Sequence, residues 1–208
     1  MYIFVDYDGT LIKNPESEFF ERYFFLLSKF SGIDLSEISR KVMKAVEETA
    51  KDTDNGKNLF EKFLEKISDN GDRKYWENLF MEFYKREFSK LKDIITKNDF
   101  LVELIKNTDK EVIFASNPLF PKIAVNERIR FVDLSPKRFC YIAHMENSHF
   151  VKPDPRFFKE IVEKLSINPA DCVMIGDTEN DIACEKIGIK FVHVDNEKEI
   201  YNIFVKGD

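Results

Sequence analysis

The chain has 208 residues, with 32 Lys and Arg against 38 Asp and Glu for a formal net charge of −6, so it lacks the basic surplus that drives binding to nucleic acid or anionic membranes. Hydrophobic residues at 43% and aromatic residues at 14% give it the apolar content of a folded protein despite 34% charged residues, and the length suits one domain or one domain with an insertion. No run approaches the roughly 18 apolar residues that cross a bilayer, and the start lacks a basic region followed by a long apolar one, so a cytoplasmic protein with neither nucleic-acid nor membrane partners is expected.

The first apolar run, residues 2–5 (YIFV), is short and rich in β-branched and aromatic residues, as a buried strand is. From about 15 to 90 the spacing turns helical. Phe20, Tyr23, Phe24, Leu27 and Phe30 share one face, followed by Leu35, Ile38, Val42 and Val46, then Phe60, Phe63, Leu64 and Ile67, then Trp76, Leu79, Phe80 and Phe83. Gly32, the polar run Lys51 to Asn58 and the pair Asn70-Gly71 read as the breaks, and Asp34 with Glu37 reads as a capping box. Four amphipathic helices result, and stripes at this spacing are mostly core-facing. The loop 51–58 reads equally as a substrate-selecting segment or as an exposed connection.

Further strands are expected at 112–115, 139–142, 172–175 and 191–194, alternating with helices near 98–107, 118–129, 155–165 and 179–187, with Pro118 and Pro155 in first turns. Such alternation predicts an α/β fold with a parallel sheet. The interval between the first two strands is too long for a single crossover, which makes 15–90 an insertion into a core formed by 1–14 and 91–208. Cys140, Cys172 and Cys184 form no C-x-x-C pair and leave an odd count, suggesting neither disulfides nor a zinc site. The pair His144 and His149 falls in a loop without other nitrogen or sulfur ligands, so no metal is expected there.

Chemistry concentrates at predicted strand ends. Asp6 and Asp8, in D-Y-D-G-T after the first strand, are two residues apart and point to the same side, with Gly9 permitting a sharp turn. Ligands of open α/β sheets bind beyond the carboxyl ends of the strands. Asp177 and Asp181, in G-D-T-E-N-D after the strand at 172–175, bring a second pair of hard oxygen ligands of the kind that suits Mg²⁺. Ser116 and Asn117 follow the strand at 112–115 and offer a hydroxyl and amides to phosphate oxygens, while Lys152 supplies a compact positive charge in a proline-stiffened turn.

These segments, in the order D-Y-D-G-T, S-N, K-P and G-D-T-E-N-D, resemble the four motifs of the haloacid dehalogenase superfamily over nearly the whole chain. The helical insertion resembles the small cap of the subgroup that includes phosphoglycolate phosphatases and β-phosphoglucomutases. The stretches N-P-L-F-P and E-N-S-H-F resemble a bacterial branch of that superfamily, and this likeness names no substrate. The resemblance implies a Rossmannoid three-layer core with a parallel sheet of about five strands and an inserted four-helix cap. It implies Asp6 as nucleophile, and Asp8 as the acid and base. Mg²⁺ would be held by the Asp6 carboxylate, the Asp8 carbonyl and Asp177, with Asp181 and Thr10 standing behind the ligands. Ser116, Asn117 and Lys152 would bind the phosphoryl group. The expected activity is a Mg²⁺-dependent phosphatase acting on a small phosphorylated metabolite through an aspartyl-phosphate. A phosphomutase and a non-catalytic phosphate-binding module are the alternatives, and a dehalogenase is disfavoured because that branch would lack Asp8. The sequence leaves the oligomeric state open.

Overall fold

The computed structural model describes residues 1–69 and 71–205. Strand β1 (Tyr2–Val5) leads into four helices, α1 (Glu16–Ser31), α2 (Leu35–Lys51), α3 (Leu59–Ile67) and α4 (Arg73–Arg86), then a 3-10 segment at Phe88–Ile94. The chain continues through α5 (Asp99–Asn107), β2 (Glu111–Phe114), α6 (Lys122–Phe131), β3 (Phe139–Ile142), α7 (Pro155–Leu165) and β4 (Cys172–Gly176). A short α8 (Glu179–Ile182) runs on as a 3-10 segment to Ile187, followed by β5 (Lys190–His193) and α9 (Glu197–Val205).

The five strands are parallel in the order β3-β2-β1-β4-β5. With β1 central, the chain builds first to one side and then to the other, and the strand order reverses at the carboxyl ends of β1 and β4. Side chains alternate across the sheet. Ile3, Val5, Phe114 and Ile175 face a layer containing α5, α6 and α9, whereas Phe4, Ile113 and Met174 face α7 and the 183–187 segment. Burial on both faces explains why the strands read as continuous apolar runs rather than alternating ones.

Local chemistry sets the helix ends. Gly32, at φ 73°, closes α1, and Asp34 caps α2 by accepting from the amides of Ser36 and Glu37. The reciprocal capping box expected there forms instead at α3, between Asn58 and Glu61. Gly71 lies in the break before α4 at φ 90°, while Asn70 of the same expected break lies outside the described residues.

Two expectations need correction. The helix placed at 118–129 begins at Lys122, because Asn117 and Phe120 each precede a proline and are disfavoured from helical geometry; Pro118 is therefore in a loop, not a first turn. Leu35, expected on a buried stripe, is 45% exposed at the start of its helix. Sequence reading also passed over α9, whose Ile200 and Phe204, one turn apart, are buried against the sheet's α5 side.

The four helices share an apolar core with the sheet. Phe19 and Tyr23 of α1, Phe83 of α4, and Phe88, Phe120 and Phe131 pack ring to ring, with Phe19 and Phe120 at 6.1 Å and Phe88 and Phe131 at 5.7 Å between centroids. The chain leaving for α1 and the chain returning before α5 run side by side. The Lys13 amide donates to the Thr96 carbonyl at 2.8 Å, Asn98 to Leu11 at 2.8 Å, and the Asn14 side chain to Ile94 at 2.7 Å. The three cysteines are free, Cys140 exposed and Cys172 and Cys184 buried. Among the described residues no helix is long and apolar enough to cross a membrane.

Candidate active site

Asp6 still belongs to the sheet's hydrogen-bond pattern, its amide donating to the Ile175 carbonyl at 3.0 Å, so its side chain emerges between the ends of β1 and β4. The chain then folds back on itself, with the amides of Leu11 and Ile12 both donating to the Tyr7 carbonyl, at 2.8 and 3.0 Å. Two glycines permit the acidic groups to converge. A Cβ on Gly9, which sits at φ 70°, would lie 1.9 Å from an Asp177 carboxylate oxygen, and one on Gly176 would lie 2.3 Å from an Asp181 oxygen.

Lys152 ties the cluster together. Its Nζ lies 2.7 Å from Asp6 Oδ1 and 2.5 Å from Asp181 Oδ1, with all three residues buried. The other Asp181 oxygen accepts from the amides of Asp177 and Thr178 and from the Thr178 hydroxyl, each at 3.3 Å. Both Asp181 oxygens are thus engaged, whereas Asp177 Oδ1 is buried without a partner. One carboxylate oxygen from each of Asp6, Asp177 and Asp181 lies within 4.8 Å of the others. Ser116 is buried just past β2, and Asn117 Oδ1 accepts from the Lys152 amide at 3.1 Å. Asp6, Asp8, Ser116, Asn117, Lys152 and Asp177 line one cavity of about 530 Å³.

Electrostatics leave this cavity short of positive charge. Burial pushes Asp6 up to about 7 against the pull of Lys152, with Asp181 and Asp8 adding to the rise. Asp177 is raised by burial and then by Asp181. Burial opposes the Lys152 ammonium, but Asp6 and Asp181 outweigh it and raise its pKa. Three clustered carboxylates against one ammonium, with an orphaned oxygen on Asp177, fit a hard divalent cation such as Mg²⁺.

Asp8 turns to a second partner that sequence reading missed. Its Oδ1 lies 2.5 Å from Nη2 of Arg128, a buried residue of α6 whose guanidinium stands over the rings of Tyr7 at 4.2 Å, Phe120 at 5.0 Å and Phe19 at 5.3 Å. The Tyr7 hydroxyl donates to the Arg128 carbonyl at 2.9 Å. A signal existed: Val125, Arg128, Ile129 and Val132 share one stripe, so the arginine sits where α6 faces the core.

Thr10 is fully buried; its carbonyl accepts from the Asn98 side chain at 3.1 Å and its hydroxyl finds no partner. His144 and His149 hydrogen-bond separately, to Glu146 and Glu160. Residues 53–57 are exposed and line neither this cavity nor the one beneath the four helices, and Asp52 pairs with Lys66.

Residues 1–184 match the family model of the haloacid dehalogenase-like hydrolases. The chain belongs to that family. Among solved structures, this haloacid dehalogenase-like hydrolase is similar to a protein from Thermotoga maritima described as a β-phosphoglucomutase (18% identity, 98% of this chain and 99% of that one, TM-score 0.55). It is also similar to a HAD-superfamily hydrolase of subfamily IA from Geobacter sulfurreducens (16%, 97% and 98%, TM-score 0.55) and to a HAD phosphatase from Thermococcus onnurineus (15%, 98% and 97%, TM-score 0.57). At these identities the likeness shows the α/β fold with its parallel sheet. Comparison with curated proteins returns no match.

Proposed function

We propose that this hydrolase is a cytoplasmic, Mg²⁺-dependent phosphatase that cleaves a small phosphate monoester through an aspartyl-phosphate on Asp6. The observation that carries the reading is the cluster of buried Asp6 and Asp181, both paired with Lys152, and half-buried Asp177, with Asp6, Asp177 and Lys152 lining one cavity with Ser116 and Asn117. In this reading, residues 1–14 and 91–208 form the catalytic core and the helices within 15–90 act as its cap.

An Asp6 oxygen forms a bond to phosphorus as the bond from phosphorus to the leaving oxygen breaks, and Asp8 gives that oxygen its proton. Asp8 then takes a proton from the water that displaces Asp6 and releases phosphate. Lys152, the Ser116 hydroxyl and the Asn117 amide hold the phosphoryl oxygens. Asp181 positions Lys152 and fixes the Asp177–Thr178 loop through its two engaged oxygens. Mg²⁺, held by the Asp6 and Asp177 carboxylates and the Asp8 carbonyl, would supply charge neutralisation for the transferring group. Enzymes lower barriers by about 8 to 23 kcal/mol, with phosphate monoesters at the slow extreme, and positioning supplies only about 7 to 11 of it. Charge stabilisation has to supply the rest, which is why cation and lysine stand together.

Phosphate release from acetyl phosphate, aryl and alkyl phosphates, sugar phosphates, nucleotides and phosphoglycolate, with Mg²⁺ or EDTA, tests the reading. Turnover that requires both Mg²⁺ and Asp6, and is lost in Asp6→Asn, is expected. Mg²⁺ binding with no turnover across the panel by folded protein would overturn it in favour of a binding module, and transfer to a sugar phosphate in place of release would make it a mutase.

A further inference from the structure

Beside the carboxylate cavity lies a second cavity of about 340 Å³, and Asp8, Glu16, Asn117 and Asn180 line both. A group leaving phosphorus at Asp8 therefore has this second space open to it. Its walls are apolar: Phe20 and Phe24 from α1, Val46 from α2, Phe60 and Phe63 from α3, and Leu119 from the loop before α6. A mere packing face of a bundle would close on itself, since protein interiors hold few voids larger than a water molecule. Here the space stays open against a catalytic carboxylate.

Little hydrogen-bonding capacity is open along those walls. The hydroxyls of Tyr23 and Tyr84 hydrogen-bond to one another at 3.0 Å, deep among aromatic rings. The Arg128 guanidinium is paired with Asp8 through Nη2, and its Nε, which has no partner, is buried out of reach of the cavity. Among the described residues the one cation along those walls is Arg128, held by Asp8, and the remaining polar side chains line the part shared with the first cavity. Hydroxyl groups of a sugar entering this space would give up water without gaining partners. An apolar body would lose only water it is better without.

We propose that the leaving group of this phosphatase is apolar, so that its substrates are alkyl or aryl phosphate monoesters rather than sugar phosphates or nucleotides. The proposal rests on the phosphatase reading above and adds the substrate class. At roughly 30 Å³ per small group the cavity accommodates a leaving group of on the order of ten non-hydrogen atoms.

Straight-chain alkyl phosphates share one leaving-group chemistry, so differences in kcat/KM among methyl, butyl and hexyl phosphate report the cavity alone. We expect kcat/KM to rise by about fourfold per methylene, with hexyl and phenyl phosphate above glucose 6-phosphate and adenosine monophosphate. Met43, which lines the cavity and is 46% exposed, provides a variant that retains the fold: Met43→Glu is expected to flatten the alkyl series. A flat series in the unmodified protein, or a sugar phosphate that outperforms hexyl phosphate, overturns the proposal. Acetyl phosphate, too small to fill the cavity, reports the phosphoryl chemistry. If it shows no Asp6-dependent hydrolysis, the phosphatase reading falls, and calorimetry with alkylphosphonates still decides the cavity. Tighter binding of hexylphosphonate than of methylphosphonate supports an apolar site, and equal binding overturns it.

Discussion

Gly176 shows how a residue without a side chain decides where charges stand. Its missing Cβ is the space that an Asp181 oxygen occupies 2.3 Å from the position a methyl would take, so Gly176→Ala must displace Asp181 from Lys152 and from the Asp177–Thr178 amides. We expect this variant to fold, because Gly176 does not require a left-handed backbone, and to lose on the order of 10²-fold in kcat, as misplacement by about 1 Å can do; steady-state kinetics check it. Asp133 carries a different prediction. Held by Lys97 and Lys92, its carboxyl is lowered from its ordinary 3.8 to about 2. A depressed carboxylate adds stability above its unfolded pKa and loses it as pH falls through the folded one. Asp133→Asn keeps a residue tolerant of the φ of 59° found here. Urea midpoints should therefore differ between variant and parent at pH 5 to 7 and converge between about pH 4 and pH 2. The half-exposed pair should also weaken in high salt. At this scale most of the site was legible in sequence, because Asp6, Ser116 and Asp177 each stand immediately past a strand or one residue further on, where chain direction dictates side-chain position. Arg128 was not, since an arginine in a charged helix reads as solvated until its apolar neighbours on the same stripe are weighed.

Elements pack through rings more than through aliphatic side chains at the junction of α1, α4 and α6. Phe88, fully buried, touches Phe19, Tyr23, Phe83, Tyr84, Phe120 and Phe131. Phe88→Ala leaves a cavity there and is expected to cost about 3 to 5 kcal/mol, measured by urea denaturation. The strands and the four inserted helices were readable because period and punctuation agreed, with Gly32 and all but the first residue of the 51–58 run falling between helices. The start of α6 was misplaced because Pro118 suits the first turn of a helix, whereas Pro121 disfavours helical geometry at Phe120 and moves the start to Lys122. Helix α9 was overlooked because its apolar pair, Ile200 and Phe204, is flanked by charged and polar residues that suggest a tail.

For the molecule as a whole, the acidic cluster is assembled from segments as distant as Asp6 and Asp181, so a cation bound there stabilises the folded state alone. Adding Mg²⁺ should raise the unfolding temperature, with a gain of about 2.7 kcal/mol at a hundredfold excess over Kd. Asp177→Asn, lacking the orphaned charge, should show little of that shift in the same thermal scan. The segments entering and leaving the four helices are pinned side by side, from the Lys13–Thr96 bond to the Asn98–Leu11 bond, so the two covalent junctions of the insertion lie together. Topologically it could be cut away and a short turn sewn in between Asn14 and Thr96. Physically the excised core would present Phe120 and Phe131 bare to water where the inserted rings had covered them, an invitation to aggregate. The architecture thus admits transplantation but not amputation: another helical insertion can take this one's place, bringing a different leaving-group cavity to the same carboxylates, provided it presents aromatic side chains to those two rings.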